Sequence, residues 1–178
     1  MTIFLALFRG INVNGRVVKM DMLKELHASL GFTDVITYIQ SGNVIFTSNE
    51  TDSLTLTQRI EEGFQQKFGF RSSVIIRTVD ELQQIIDNTP FHDQPEKEPK
   101  WIVVTFFSSP PREDAVEQFQ KLYQGPEELY LKGRDLYTYY PESIGHSKLP
   151  AHQLSKILQA DGTARNWNTI LKLQKLMA

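Results

Sequence analysis

With 178 residues, 40% of them hydrophobic and 22% charged, and a formal net charge of -2, the chain has the composition of a globular protein. It lacks both the excess of bases of a dedicated nucleic-acid binder and the polarity of a disordered chain. It has no cysteine, which excludes disulfides, thiolate chemistry and zinc sites built on thiolates. The length is large for one minimal domain and small for two ordinary ones, so one large α/β domain or two small ones are expected.

The apolar run Ile3 to Phe8 has no positive stretch before it and stops at Arg9, so it reads as a buried strand rather than a signal peptide. No run approaches the roughly 20 apolar residues of a membrane span, and a cytoplasmic protein without a membrane partner is expected. The loop Arg9 to Gly15 follows. Met22, Leu26 and Leu30, widened by Leu23, give helical spacing over about Met20 to Leu30, with Gly31 suited to its end. Val35 to Gln40 and Asn43 to Thr47 read as two strands hinged on Ser41-Gly42, because a Gly among polar residues between β-branched runs supplies the positive φ of a tight turn. A second helix, Asp52 to Phe68, carries Leu56, Ile60, Phe64 and Phe68 four apart, and Ser72 to Arg77 is a fourth strand. The order β-α-β-β-α-β is the ferredoxin-like pattern.

The second half opens with a helix over Val79 to Asn88. The Pro-bearing, charged stretch Thr89 to Lys100 is the best linker candidate. Trp101 to Phe107 is a strand. Ala115, Phe119 and Leu122 mark a helix, and Leu129 to Lys132 with Asp135 to Tyr140 form a hairpin through Gly133-Arg134. Two helices are expected at the end, Ser147 to about Gln159 and Thr163 to about Met177, the latter with Thr163 as its N-cap and Trp167 on its buried face. The fold expected is α+β: a ferredoxin-like domain over 1–78 and a related second domain over 79–178, whose last helices pack back on the first and which echoes the first half without its final strand. Tyr130, Tyr137, Tyr139 and Tyr140 on the hairpin read equally as core or as interface.

Charge is uneven along the chain. Residues 1–20 hold Arg9, Arg16 and Lys19 with no acid, and residues 143–178 hold five bases against Asp161 alone. Residues 50–98 hold ten acids and five bases. If the two ends of the chain meet, one face is basic. In a β-α-β-β-α-β sheet the end of strand one neighbours the turn between strands two and three, which brings the Arg9 loop beside Gln40, Ser41 and Asn43. Arg165, expected in the first turn of the last helix, would add to the pull of that helix end on an anion.

The segments Arg9-Gly10-Ile11-Asn12-Val13, Tyr38-Ile39-Gln40-Ser41-Gly42-Asn43-Val44, Ser147-Lys148-Leu149 and Thr163-Ala164-Arg165-Asn166-Trp167-Asn168-Thr169 resemble, in order, the hallmark segments of the bacterial family called domain of unknown function 1697. The resemblance implies an α+β fold with ferredoxin-like character and no established activity. Where the family's first motif continues with two glycines, this chain has Asn14-Gly15.

No standard site accompanies these segments. The four histidines lack metal-ligand spacing, the GxGxxG and P-loop patterns are missing, and no nucleophile can be paired with a base, so whether the protein is an enzyme stays open and no cofactor is implied. Strand three, with Phe46 as its one aromatic residue, does not match an RNA-stacking surface, which disfavours nucleic acid. The leading expectation is binding of a small anionic ligand, bearing phosphate or carboxylate, by Arg9, Asn12, Gln40, Ser41, Asn43, Lys148, Arg165 and Asn166 in a polar cleft between the halves. The alternative is a nucleic-acid or protein interaction module using the same basic face.

Overall fold

The computed structural model describes all 178 residues, which divide into two compact units: Met1–Gln83 together with Leu173–Ala178, and Gln84–Lys172.

The first unit contains β1 (Thr2–Phe8), α1 (Met20–Ser29), β2 (Thr33–Tyr38), β3 (Asn43–Ser48), α2 (Ser53–Phe68) and β4 (Val74–Thr78), and then the start of α3 (Val79–Asp87). Its four strands form one antiparallel sheet in the order β2-β3-β1-β4, which is the ferredoxin-like order. The register sets Phe4 opposite Phe46 and Leu5 opposite Ile45, so β1 and β3 carry apolar side chains on both faces. On the helix-covered face, Phe4, Phe8 and Phe46 pack with Leu23, Leu26, Leu56, Ile60 and Phe64. Each aromatic ring buried there contributes on the order of 2 kcal/mol. The helix ends follow from the sequence. Asp52 accepts from the Thr55 amide at 3.0 Å and caps α2. Gly69, at φ 78, ends it in the left-handed conformation. On α1 the fully buried stripe is Leu23, Leu26 and His27, while Met22 is 38% exposed.

The second unit repeats the plan with β5 (Ile102–Phe107), α4 (Ala115–Leu122), β6 (Glu128–Lys132), β7 (Asp135–Tyr139), α5 (Ala151–Leu158) and β8 (Gly162–Asn166), followed by α6 (Trp167–Met177). Its sheet order is β6-β7-β5-β8, again antiparallel. Phe107, Phe119, Leu129, Leu136, Leu154 and Leu158 build its helix-side core.

Three expectations are corrected here. Residues 162–166 are not the start of the last helix but strand β8, paired along β5 from Val103–Asn166 to Phe107–Gly162, so the second half has its final strand after all. Gly162 opens that strand because a Cβ there would lie 2.6 Å from Thr105 Cγ2 and 2.9 Å from the Phe106 carbonyl oxygen. The helix expected from Ser147 begins only at Ala151, after Pro150. The helix expected from Ala115, Phe119 and Leu122 forms as α4, with Leu122 69% exposed at its end. The stretch Thr89 to Lys100 is no linker: Phe91 is buried against Tyr130 and Tyr139, and Lys97 pairs with Glu128 at 2.8 Å.

The two halves correspond in detail. Phe8, at the end of β1, donates its amide to the Gly42 carbonyl of the following hairpin at 2.9 Å, and Phe107, at the end of β5, does the same to Arg134 at 2.9 Å. Arg77 and Arg165 are both the fourth residue of a five-residue strand, opposite Leu5 and Val104 respectively. Both are buried, and each donates to the carbonyl of the residue before it, at 3.1 and 2.9 Å. Each strand then passes into a helix capped by the next residue. The Thr78 hydroxyl accepts from the Glu81 amide at 3.2 Å, with Glu81 reciprocating to the Thr78 amide at 2.8 Å. Asn166 Oδ1 accepts from the Asn168 amide at 3.0 Å.

Candidate functional site

The loop between β1 and α1 carries the first set of candidates. Gly10, Asn12, Asn14 and Gly15 all have positive φ, at 67, 55, 53 and 80°. Asn is the non-Gly residue that tolerates this backbone best, which is why Asn12 and Asn14 can stand among glycines. The loop is anchored at both ends. The Arg9 amide donates to the Ser73 carbonyl at 3.0 Å, and the Arg9 carbonyl accepts from Ser72 Oγ at 2.8 Å. Asn12 then ties the loop in two directions, accepting from the Val18 amide at 2.6 Å and donating to the Gln40 carbonyl at 2.7 Å. Between these anchors the exposed amides of Gly10, Asn14 and Gly15 donate to no acceptor in the chain. Exposed amides without a partner in the chain are donors from which an anion can accept.

The turn Ile39–Gly42 lies against this loop. Gly42, at φ 85, leaves no room for a side chain: a Cβ would sit 2.6 Å from Ile11 Cδ1 and 2.9 Å from Phe8 Cβ. Asn43 is fully buried and donates to the Tyr38 carbonyl at 3.0 Å and to Ser41 Oγ at 2.9 Å, so its amide closes the turn from inside. The side chains of Gln40 and Ser41 are exposed. Ile39 has φ 50 and is 47% exposed, a left-handed backbone that a β-branched side chain disfavours.

Arg9, Arg16 and Lys19 are exposed around the loop, and Arg16 holds its guanidinium carbon 4.6 Å from the centroid of the Phe70 ring. That contact steadies the side chain while leaving its charge in water. In the sequence, Arg16 and Lys19 stand out only in the charge of residues 1–20, whereas Arg9 lies within the Arg9–Val13 motif.

In the second unit the candidates have other employment. Arg165 is 7% exposed, and besides the Ala164 carbonyl it donates to Thr163 Oγ1 at 2.7 Å; burial lowers its pKa to about 10. Asn166 donates to the Lys100 carbonyl at 2.8 Å as well as capping α6. Lys148 is exposed on the loop before α5. Trp167 is buried. Arg77, the counterpart of Arg165, was missed by sequence reasoning, since an Arg at the end of an apolar run reads as the solvent-side limit of a strand.

Phe4, Phe8 and Phe46 are all at or below 1% exposure, and on the opposite face Leu5, Leu7 and Ile45 are equally covered, so β1 and β3 offer no aromatic platform for bases. No three His, Asp or Glu side chains gather as metal ligands, and no helix is long and apolar enough to cross a membrane.

The model of a family described as "Protein of unknown function (DUF1697)" matches residues 1–137. The chain belongs to the DUF1697 family. The matched range includes the Arg9 loop and the Ile39–Gly42 turn and ends before Lys148, Arg165 and Asn166. Among solved structures, the conserved bacterial protein SP0830 from Streptococcus pneumoniae is similar over 99% of this chain and 99% of that one, with a TM-score of 0.75 and 24% sequence identity. That likeness extends the shared fold to the whole of this DUF1697 chain, both halves included. No curated protein matches it.

Proposed function

We propose that this protein binds a small anionic ligand, bearing phosphate or carboxylate, at the β1–α1 loop and the β2–β3 turn of its first unit. The observation that carries this reading is a difference in two connections between the halves. The connection from β1 to α1 runs over residues 9–19, against 108–114 from β5 to α4, and the β2–β3 turn takes residues 39–42 where the β6–β7 turn takes 133–134. The first half is therefore the longer at these two places, whereas the second is the longer between β7 and α5, with residues 140–150 against 49–52, and Asn12 bonds the two lengthened places of the first half to each other. Extra loop length on a rigid scaffold is where binding residues concentrate. Here it holds exposed, unengaged amides, two glycines with nothing within 4 Å of a Cβ position, and three cations without an acid among the first twenty residues.

In this reading the amides of Gly10, Asn14 and Gly15 face the anion, Arg9, Arg16 and Lys19 supply charge, and Gln40 and Ser41 form the neighbouring wall. Asn12 and Asn43 hold the loop and turn in shape. Arg165 bonds within its own strand, and Asn166 bonds the Lys100 carbonyl and caps α6, so the proposal rests on the first unit. A thermal-shift screen with phosphorylated metabolites, nucleotides and carboxylates tests it. The expected result is a compound that raises the melting temperature of the wild type and of Arg165→Met, but not of an Arg9→Ala, Lys19→Ala double variant. If every compound acts equally on wild type and double variant, the reading fails. Binding of labelled RNA or DNA that collapses with added salt, with no response to small anions, would instead favour an electrostatic interaction module.

A further inference from the structure

The same loop and turn expose more than charge. Val13 is 47% exposed, Val17 78% and Ile39 47%, three aliphatic side chains open to water in a loop and turn that otherwise expose Arg9, Gly10, Asn14, Gly15, Arg16, Lys19, Gln40 and Ser41. Single exposed hydrophobics need no explanation, but these three are tied to one point. The Asn12 side-chain amide bonds Gln40, the neighbour of Ile39, and Val18, the neighbour of Val17, and Asn12 is itself the neighbour of Val13. Val17 and Ile39 are thus each the neighbour of a residue that Asn12 bonds, and Val13 follows Asn12 itself.

Ile39 adds an independent sign. It keeps φ 50, where Gly or Asn would sit without penalty, and it is not held there by burial. A β-branched residue in a left-handed position costs of order 1–3 kcal/mol, and such strain is found at ligand clamps and switch regions. An exposed side chain that costs stability and fills no core is explained if it meets something outside the chain. Building on the anion reading above, we infer that the ligand is an anion joined to an apolar body, the anionic group resting on the loop amides and cations and the apolar body on Val13, Val17 and Ile39. The cations of the same loop set the sign of the partner's charge, and three free amides within one short loop favour a single compact anionic group over an extended surface.

The inference is tested with three phosphates of graded apolarity, inorganic phosphate, phenyl phosphate and hexyl phosphate, titrated by calorimetry into the full-length protein. Vesicles of phosphatidylglycerol form a parallel arm. Phenyl and hexyl phosphate are expected to bind at least about ten-fold more tightly than inorganic phosphate, as covering a few aliphatic groups implies. Ile39→Gly should shrink that advantage several-fold while raising the melting temperature of the free protein by about 2–4 °C, because the left-handed strain is relieved. Val17→Ser, at a site 78% exposed where folding is not at stake, should shrink it in the same way. Equal affinity for all three phosphates overturns this inference and leaves the anion site standing. Binding of none of them removes both. Vesicle binding without binding of any free phosphate also overturns it, by making the patch a membrane-surface contact.

Discussion

His27 gives the sharpest quantitative handle on the first unit. It is fully buried on α1, its Nδ1 bonds the Leu23 carbonyl at 2.8 Å, and its ring lies 5.5 Å from Phe46, 5.8 Å from Phe8 and 6.1 Å from Phe32. The Leu23 carbonyl can only accept, so Nδ1 carries the proton, and Nε2 is left as a buried lone pair with no partner. Burial therefore disfavours the imidazolium and lowers the pKa from 6.5 to about 4, against the smaller opposing effect of the Leu23 carbonyl. The native state refuses a proton that the unfolded chain accepts. Stability is accordingly whole above pH 6.5, falls as the pH drops from 6.5 towards 4, and loses nothing further from this group below that. At about 1.4 kcal/mol for each pH unit, the loss is about 3 kcal/mol. Urea unfolding followed by far-UV circular dichroism at pH 7.5, 5.5 and 4.0, on wild type and His27→Gln, isolates this group from the carboxylates that titrate in the same range. His27→Gln is expected to be the less stable protein at pH 7.5 and to close the gap by about 3 kcal/mol at pH 4. Parallel pH profiles for the two proteins would refute the reasoning, as would a His27 ring resonance that titrates near 6.5 in the folded protein.

Other substitutions probe the turn and the second unit. Gly42→Ala combines a positive φ with contacts of 2.6 and 2.9 Å to Ile11 and Phe8, and should cost about 2–4 kcal/mol in urea unfolding. Asn43→Ala removes both bonds that close the turn from a fully buried site, and a loss of about 2 kcal/mol with weakened anion binding is expected in the same assay. Tyr137→Phe leaves the Ile85 carbonyl without the hydroxyl that now donates to it at 2.6 Å. Because Trp101 and Trp167 both lie in the second unit, tryptophan fluorescence should show its transition weakened by about 1–2 kcal/mol.

The first unit was legible in the sequence because its signals agree with one another. Leu56, Ile60 and Phe64 four apart, Asp52 before them and Gly69 after them admit little but a capped helix, and the β-branched runs around Ser41-Gly42 admit little but a hairpin. The second unit was harder where polar residues occupy inward positions. β8 does alternate, with Thr163 and Arg165 buried and Ala164 exposed, but a buried Thr and Arg do not register as an apolar period, so the stretch reads as the polar start of the helix that carries Trp167. His27 escaped notice for the same reason: it stands four residues after Leu23, on the buried stripe, in a side chain that reads as polar. At the candidate site, strand topology foretold that the Arg9 loop would neighbour the Gln40 turn, and the Asn12–Gln40 bond is where they join. Which polar groups are spent on the fold was not readable, because Asn12, Asn43 and Asn166 look alike in sequence whether they bond a ligand or their own backbone. The strain at Ile39 had no sequence signal, since nothing in YIQSGN places that residue rather than a neighbour at positive φ.

The most direct test of the anion site is an amide chemical-shift titration of the labelled full-length protein with phenyl phosphate. Saturable shifts gathered at Gly10, Asn14, Gly15 and Ser41, absent in the Arg9→Ala, Lys19→Ala variant, are the expected result. Shifts that gather elsewhere in the chain, or that grow linearly without saturation, would contradict it.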